Sequence, residues 1–163
     1  SAKFNYKMGH SLDYHPFDNH GKLILGGITF DDYPILHGHS DADVVYHAVT
    51  ESLLGAAGLG DLGTLFPDTD PSYKGYDSSL FLKEVVSLLN KKHIKIQSID
   101  VMVYLIKPSL KDYKNLMAKN IKDITNAFNV CVKAATLNKK GLISLEEGIG
   151  AEAISLIKIP HNK

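Results

Sequence analysis

The chain has 163 residues, 44% of them apolar, one cysteine and a formal net charge of zero. That length and apolar content fit one domain with its own core, and the balanced charge speaks against a broad nucleic-acid or membrane-binding field. No apolar run approaches the roughly 20 residues that span a bilayer, so the sequence reads as a soluble protein. Cys131 lacks a partner for an internal disulfide and reads as a buried thiol in a reducing compartment.

In chain order, a strand is expected around residues 12–15. A second, residues 22–30 (KLILGGITF), is interrupted by Gly26 and Gly27, which read as a bulge or bend. Residues 31–38 read as a loop around Pro34. An amphipathic helix follows, with Val44, Val45, Ala48, Val49, Ser52 and Leu53 at helical spacing, Ser40 or Asp41 as its N-cap and glycines at 55 and 58 to stop it. Its first amides and the positive end of its dipole offer a site for an anion. Residues 61–78, broken by Gly63, Pro67, Pro71 and Gly75, read as a long functional loop. Ser78 or Ser79 then caps a helix ending near Lys92, with Leu82, Val85, Val86 and Leu89 as its buried stripe. Residues 94–106 form a strand ending at Lys107-Pro108. A helix over 113–128 turns Leu116, Met117, Ile121, Ile124 and Phe128 inward, and strands over 130–136 and 149–159 close the chain. The pattern argues for an α+β fold, a mixed sheet with helices packed on one face.

Histidine is unevenly placed: six of eight lie in the first 47 residues. A lone histidine is more often a surface or satisfied core residue than a ligand. Spacing singles out Asp13 and His15, which a strand period of two puts on one face, about 7 Å apart. Their oxygen and nitrogen can converge on one cation, with His47 as third ligand. Two histidines and a carboxylate form a catalytic zinc set that leaves a fourth position open. A purely structural zinc would be expected to close with four protein ligands, usually including cysteine, and Cys131 has no CxxC partner. Asp43 and Glu51 lie one turn before and after His47, so either can hold the ring N–H that faces away from a metal; the alternative is a solvated helix face.

Five runs carry a resemblance: GHSLDYHPF at 9–17, HSDADVVYH at 39–47, GDLGTLFPDTDPSYKG at 60–75, VKAAT at 132–136 and EGIGAEA at 147–153. Together they resemble the 2-C-methyl-D-erythritol 2,4-cyclodiphosphate synthase family of the non-mevalonate isoprenoid pathway, in order and over nearly the whole chain. The resemblance implies an enzyme that takes a cytidine diphosphate sugar alcohol bearing a second phosphate, closes it into a cyclic diphosphate and releases CMP. Holding two polyanions together makes charge neutralisation and alignment the catalytic work. By the same resemblance, zinc sits on Asp13, His15 and His47 and polarises a phosphate. His39 and Thr136 stabilise the transition state, and Ser40 anchors a phosphate. Tyr14 lies within the substrate-binding run. Asp61, Leu62 and Gly63 hold the erythritol hydroxyls, and Phe66, Pro67, Asp68, Thr69 and Asp70 continue that wall; the plain alternative for the aspartates is turn residues. Leu105, Ile106, Lys107, Pro108, Ser109, Leu110 and Lys111, with Ala135, Thr136, Leu137 and Asn138, embrace the cytidine.

The chain also departs from the family pattern. Ser109 stands where a lysine is usual, leaving Lys107 or Lys111 to carry that charge. Asn138 replaces an acidic ligand for the magnesium or manganese on the substrate diphosphate, which predicts weaker recruitment of that ion. Leu142 and Leu145 replace an aromatic and an arginine near the trimer axis, leaving any axial diphosphate site in question. The resemblance further implies a homotrimer with active sites between subunits, zinc and diol from one and cytidine from the next, and no nucleic-acid or membrane partner. A non-catalytic phosphate- or nucleotide-binding module on the same fold is the alternative that these departures encourage. A start at Ser1 suggests a trimmed chain from which a targeting peptide would be lost to view. All 18 basic residues are lysine, and with abundant Asn this suits an AT-rich genome: an apicomplexan plastid stroma, or the cytoplasm of a low-GC bacterium.

Overall fold

Residues 17–36 form a β-hairpin at the end of a long first strand. Strand β1 runs over Phe4–Leu25 and β2 over Ile28–Leu36, and Leu25 pairs directly with Ile28. Gly26 and Gly27 are therefore the two-residue turn itself rather than a bulge. Both have positive φ, 56° and 76°, the backbone a type I′ turn demands and that L side chains rarely adopt. Residues expected as loop around Pro34 are strand instead. Strand β2 lies at the sheet edge, where a missing proline N–H costs little. This computed structural model describes residues 3–137 and 146–161; Asn138, Leu142 and Leu145 lie outside them.

The remaining elements are α1 (Val44–Ala56), the single turn α2 (Leu62–Leu65), a 3₁₀ turn at Pro71–Tyr73, α3 (Ser78–Lys91), β3 (Lys95–Tyr104), α4 (Lys114–Thr125), β4 (Asn129–Ala135) and β5 (Gly148–Pro160). The strands order as β2-β1-β5-β3-β4. Strand β5 is antiparallel to both β1 and β3, and β3 is parallel to β4, so the sheet is mixed as expected. Residues 61–78, expected as loop throughout, contain α2 and the 3₁₀ turn.

One face of the sheet is closed by helix. Strand β5 turns Ala151, Ala153, Ser155 and Ile157 inward and β3 turns Ile99, Val101 and Val103, all fully buried. Small residues opposite α1 let it sit very close. A Cβ on Gly9 of β1 would overlap the Ser52 carbonyl oxygen of α1, and Ser52 Oγ meets Ser155 Oγ at 2.6 Å. Helix α1 is consequently buried almost all round, whereas α4 buries only the stripe Met117, Ile121 and Thr125. That narrow stripe corrects the expectation for α4: Leu116 is exposed, and Phe128 lies beyond the helix, which a left-handed Asn126 ends. Cys131 is exposed too, because Val132 beside it points into the core and neighbouring strand residues face opposite ways.

The cap of α1 is Asp43, not Ser40 or Asp41. Its Oδ1 accepts from Val45 N and Tyr46 N at 3.1 Å and from Gly26 N at 2.9 Å, and Oδ2 accepts from Gly27 N at 2.9 Å. One buried carboxylate thus caps the helix and ties it to the hairpin turn. Burial pushes the Asp43 carboxyl up to about 6, against the amides and with the neighbouring Asp41 charge. The other sheet face carries Tyr6, Met8, Leu12 and Ile154, all exposed. Among the described residues no helix is long and apolar enough to cross a membrane.

Candidate active site

Strand β1 and helix α1 together build the site. The strand period puts Asp13 and His15 on one face, and the packing of α1 brings His47 beside them, so the ligand atoms of all three lie within 4.8 Å of one another. Asp13 Oδ2 is 3.0 Å from His15 Nε2 and 3.5 Å from His47 Nδ1. Each ring's other nitrogen is engaged: His15 Nδ1 with the His37 carbonyl at 2.7 Å, and His47 Nε2 with Ser78 Oγ at 2.8 Å and Ser40 Oγ at 3.2 Å. The donor set therefore fits a divalent transition metal, with two imidazoles held from behind and one carboxylate between them.

Burial alone would push the Asp13 carboxyl up, but hydrogen bonds and charge from His15 and His47 outweigh it and hold the group well below the usual carboxylate range. Burial works to lower His15, yet Asp13 and the His37 carbonyl raise it above the ordinary histidine value. A fixed anion beside a proton-retaining histidine is the state a cation displaces.

The triad opens into a cleft of about 240 Å³ also lined by Gly38, His39, Ser40, Glu51, Leu62, Gly63, Phe66, Asp68, Tyr73 and Phe81. Most of the expected metal, phosphate and diol residues are thus brought together. His39 Nε2 bonds the Asp70 carbonyl at 2.9 Å, which docks the 66–70 segment on this wall. Asp61 and Asp70 use their carboxylates locally instead: Asp61 accepts from Thr64 N and Oγ1, and Asp70 from Ser72 N and Oγ. Those contacts hold both carboxyls below their ordinary range. Pro67 and Thr69 do not line the cleft. Tyr14, between the candidate ligands Asp13 and His15 on β1, points the opposite way; a Cβ on Gly148 would meet its ring.

Neither Asp43 nor Glu51 holds the His47 ring. Asp43 is turned to the hairpin, and Glu51 accepts from Ser11 Oγ at 3.1 Å and Leu62 N at 3.3 Å. Among residues the sequence reading passed over, Gly38, Tyr73 and Phe81 line the cleft. Tyr73 and Phe81 join Phe66 in an aromatic cluster at centroid distances of 4.6–5.7 Å, with no sequence period to mark it.

The expected cytidine segments meet in a separate cleft of about 220 Å³ lined by Leu105, Ile106, Pro108, Ser109, Leu110, Lys111, Lys114, Ala134, Ala135 and Thr136. It shares no residue with the metal cleft. Lys107 lines a third cleft with Phe17, Tyr33 and Glu146, and Leu137 is exposed.

The chain is similar to known proteins in both sequence and fold. Residues 6–158 fit the model of the YgbB family. Among curated relatives, the 2-C-methyl-D-erythritol 2,4-cyclodiphosphate synthase of Chlorobium phaeobacteroides is 45% identical over 157 residues, covering 94% of this chain and 98% of its own. That of Brachyspira hyodysenteriae is 42% identical over 154 residues, covering 93% and 98%. Among solved structures, the bifunctional IspDF of Campylobacter jejuni is 35% identical with a TM-score of 0.89, covering 96% of this chain and 43% of that longer one. IspF of Plasmodium falciparum, in a CDP complex, is 31% identical with a TM-score of 0.79, covering 96% and 97%. The chain belongs to the YgbB family, the 2-C-methyl-D-erythritol 2,4-cyclodiphosphate synthases, and is an enzyme of the lyase class.

Proposed function

We propose that the chain converts 4-diphosphocytidyl-2-C-methyl-D-erythritol 2-phosphate into 2-C-methyl-D-erythritol 2,4-cyclodiphosphate and CMP. The 2-phosphate oxygen attacks the β-phosphorus, and the bond to the CMP oxygen breaks as the ring closes. The observation that carries this reading is the Asp13, His15 and His47 triad in a cleft it lines together with His39, Ser40, Leu62 and Gly63. Zinc bound there would neutralise phosphate charge and act as a Lewis acid. In this reading the chain's own groups align the reactants: Ser40 holds a phosphate, the segment after Asp61 holds the diol, and His39 and Thr136 face charge developing at phosphorus. A magnesium or manganese ion would neutralise charge on the diphosphate, bound chiefly by the phosphates themselves.

His39 and Thr136 lie in different clefts of one chain, which supports active sites completed between copies in a homotrimer. The exposed Tyr6, Met8, Leu12 and Ile154 supply an apolar sheet face for that association. Incubating zinc-loaded protein with the cytidine substrate and following CMP by chromatography tests the function. Stoichiometric CMP and cyclic diphosphate are expected. Nucleotide binding without CMP release would reduce the chain to a binding module.

A further inference from the structure

We infer that Ser78 and Asp41 form a positioning relay that fixes which nitrogen of His47 faces the metal; the inference rests on the metal reading above. A histidine can ligate only through an unprotonated nitrogen, and a neutral ring carries its proton on the other one. His47 is nearly buried, its side chain 11% exposed, so its hydrogen-bond partners decide between the two tautomers. Nδ1 faces Asp13, and Nε2 lies 2.8 Å from Ser78 Oγ.

Ser78 is the fully buried first residue of α3. Its hydroxyl donates to Asp41 Oδ1, and an ionised carboxylate can only accept. That fixes the direction of the whole chain of bonds. With its single proton committed to Asp41, Ser78 Oγ offers a lone pair to the N–H of His47 Nε2, so that when a metal displaces the proton His47 Nδ1 shares with Asp13, Nδ1 is the nitrogen left free to ligate. Asp41 is itself locked: Oδ1 also accepts from Asp43 N at 3.0 Å, and Oδ2 accepts from Ser78 N at 3.1 Å. The relay thus clips the start of α3 to the loop that leads into α1. Ser40 Oγ is a second neighbour of Nε2, but at 3.2 Å, and it also accepts from Ala42 N.

His15 is set differently. Its outer nitrogen meets the backbone carbonyl of His37, which no side-chain substitution removes. Of the two ligand rings, only His47 is oriented by replaceable side chains, and these lie 31 and 6 positions away in the chain rather than on the same helical face. Loss of a group that orients a metal ligand costs about 10- to 100-fold in metal affinity or activity.

The test uses the full chain with zinc and a chromogenic chelator in competition, together with ¹H–¹⁵N spectra of the histidine rings. In the native protein we expect His47 to carry its proton on Nε2 and to bind zinc through Nδ1. Ser78→Ala should weaken zinc binding about 10- to 100-fold while its circular dichroism stays native, and Ser78→Thr, which keeps the hydroxyl, should recover most of that loss. Asp41→Asn should weaken zinc as well, because an amide cannot accept at both of the oxygens Asp41 uses. Native affinity in Ser78→Ala, or a native ring ligating through Nε2, overturns the relay. Native affinity in Asp41→Asn removes Asp41 from it. Should Ser78→Ala fail to fold, the native ring spectrum and Asp41→Asn decide. A native chain that takes up no zinc overturns the metal reading itself, and the relay with it.

Discussion

His15 and His47 reach one point from a strand and a helix that the sheet and core already hold in place. Either residue replaced by alanine should therefore abolish zinc retention and CMP release while leaving the fold intact. Metal analysis by mass spectrometry with circular dichroism checks this, and one zinc per chain in both variants would reject the ligand set. The Asp13–His15 pair also gives the metal-free chain a pH signature. Asp13 is lowered on folding, so its contribution is present above its unfolded value near 4 and is lost as pH falls through its folded value. His15 is raised, so its contribution is present below its unfolded value near 6.5 and fades as pH rises through its folded value. The stability difference between native protein and Asp13→Asn, read from urea midpoints, should peak between those limits and shrink on both sides. A flat difference from pH 3 to pH 9 would show that the two side chains are uncoupled. At this scale the sequence was legible where spacing is short: Asp13 and His15 share a face by the period of a strand. The partners of His47 were not, since Ser78 is distant in sequence while Asp43 and Glu51, adjacent by helical period, are drawn off by the hairpin turn, Ser11 and the Leu62 amide.

Elements were legible where an apolar stripe repeats over several turns, as in α1 and α3. They were misread where one residue serves two structures. Asp43 caps α1 and also holds Gly26 and Gly27, so the true helix start and the hairpin turn share a cause that no local window contains. Leu116 and Phe128 were assigned inward because they are apolar, but α4 buries only what its neighbours cover. Strand β1 lies tight against α1 at Gly9, where an added Cβ would overlap the Ser52 carbonyl oxygen and the Ala56 amide. Gly9→Ala must push the helix off the strand, because the obstructing atoms are backbone and cannot rotate away. We expect a loss of about 3 kcal/mol or more in urea unfolding, and a weakened zinc site, since α1 carries His47. An effect below about 1 kcal/mol would mean that α1 can shift freely over β1.

For the whole molecule, the apolar sheet face predicts assembly. Light scattering of the native protein should give three copies of the 17.9 kDa chain. Met8→Glu places a charge in the middle of that face and should shift the protein toward monomer, with native circular dichroism and loss of CMP release, because the two clefts of one proposed active site belong to different copies and would no longer meet. A native monomer with full activity would reject both expectations. The general architecture was legible from the alternation of strands and helices, whereas the strand order was not, because β5 inserts between β1 and β3 from the far end of the chain.

That insertion bears on synthesis. Strand β1 pairs with β2 only over 17–25, and its other half, residues 4–16, pairs with β5. Asp13 and His15 belong to the half that waits. On the ribosome the hairpin tip and α1 can form early, but the half of β1 carrying two of the three candidate metal ligands has no hydrogen-bonded neighbour until residues 148–160 emerge. Closing a contact across some 140 residues is slow relative to local structure, so the nascent chain should stay metal-poor until β5 docks. Acquisition of zinc would then report docking of β5, and truncation before Gly148 should yield a product that retains hairpin and helix signals but holds no metal.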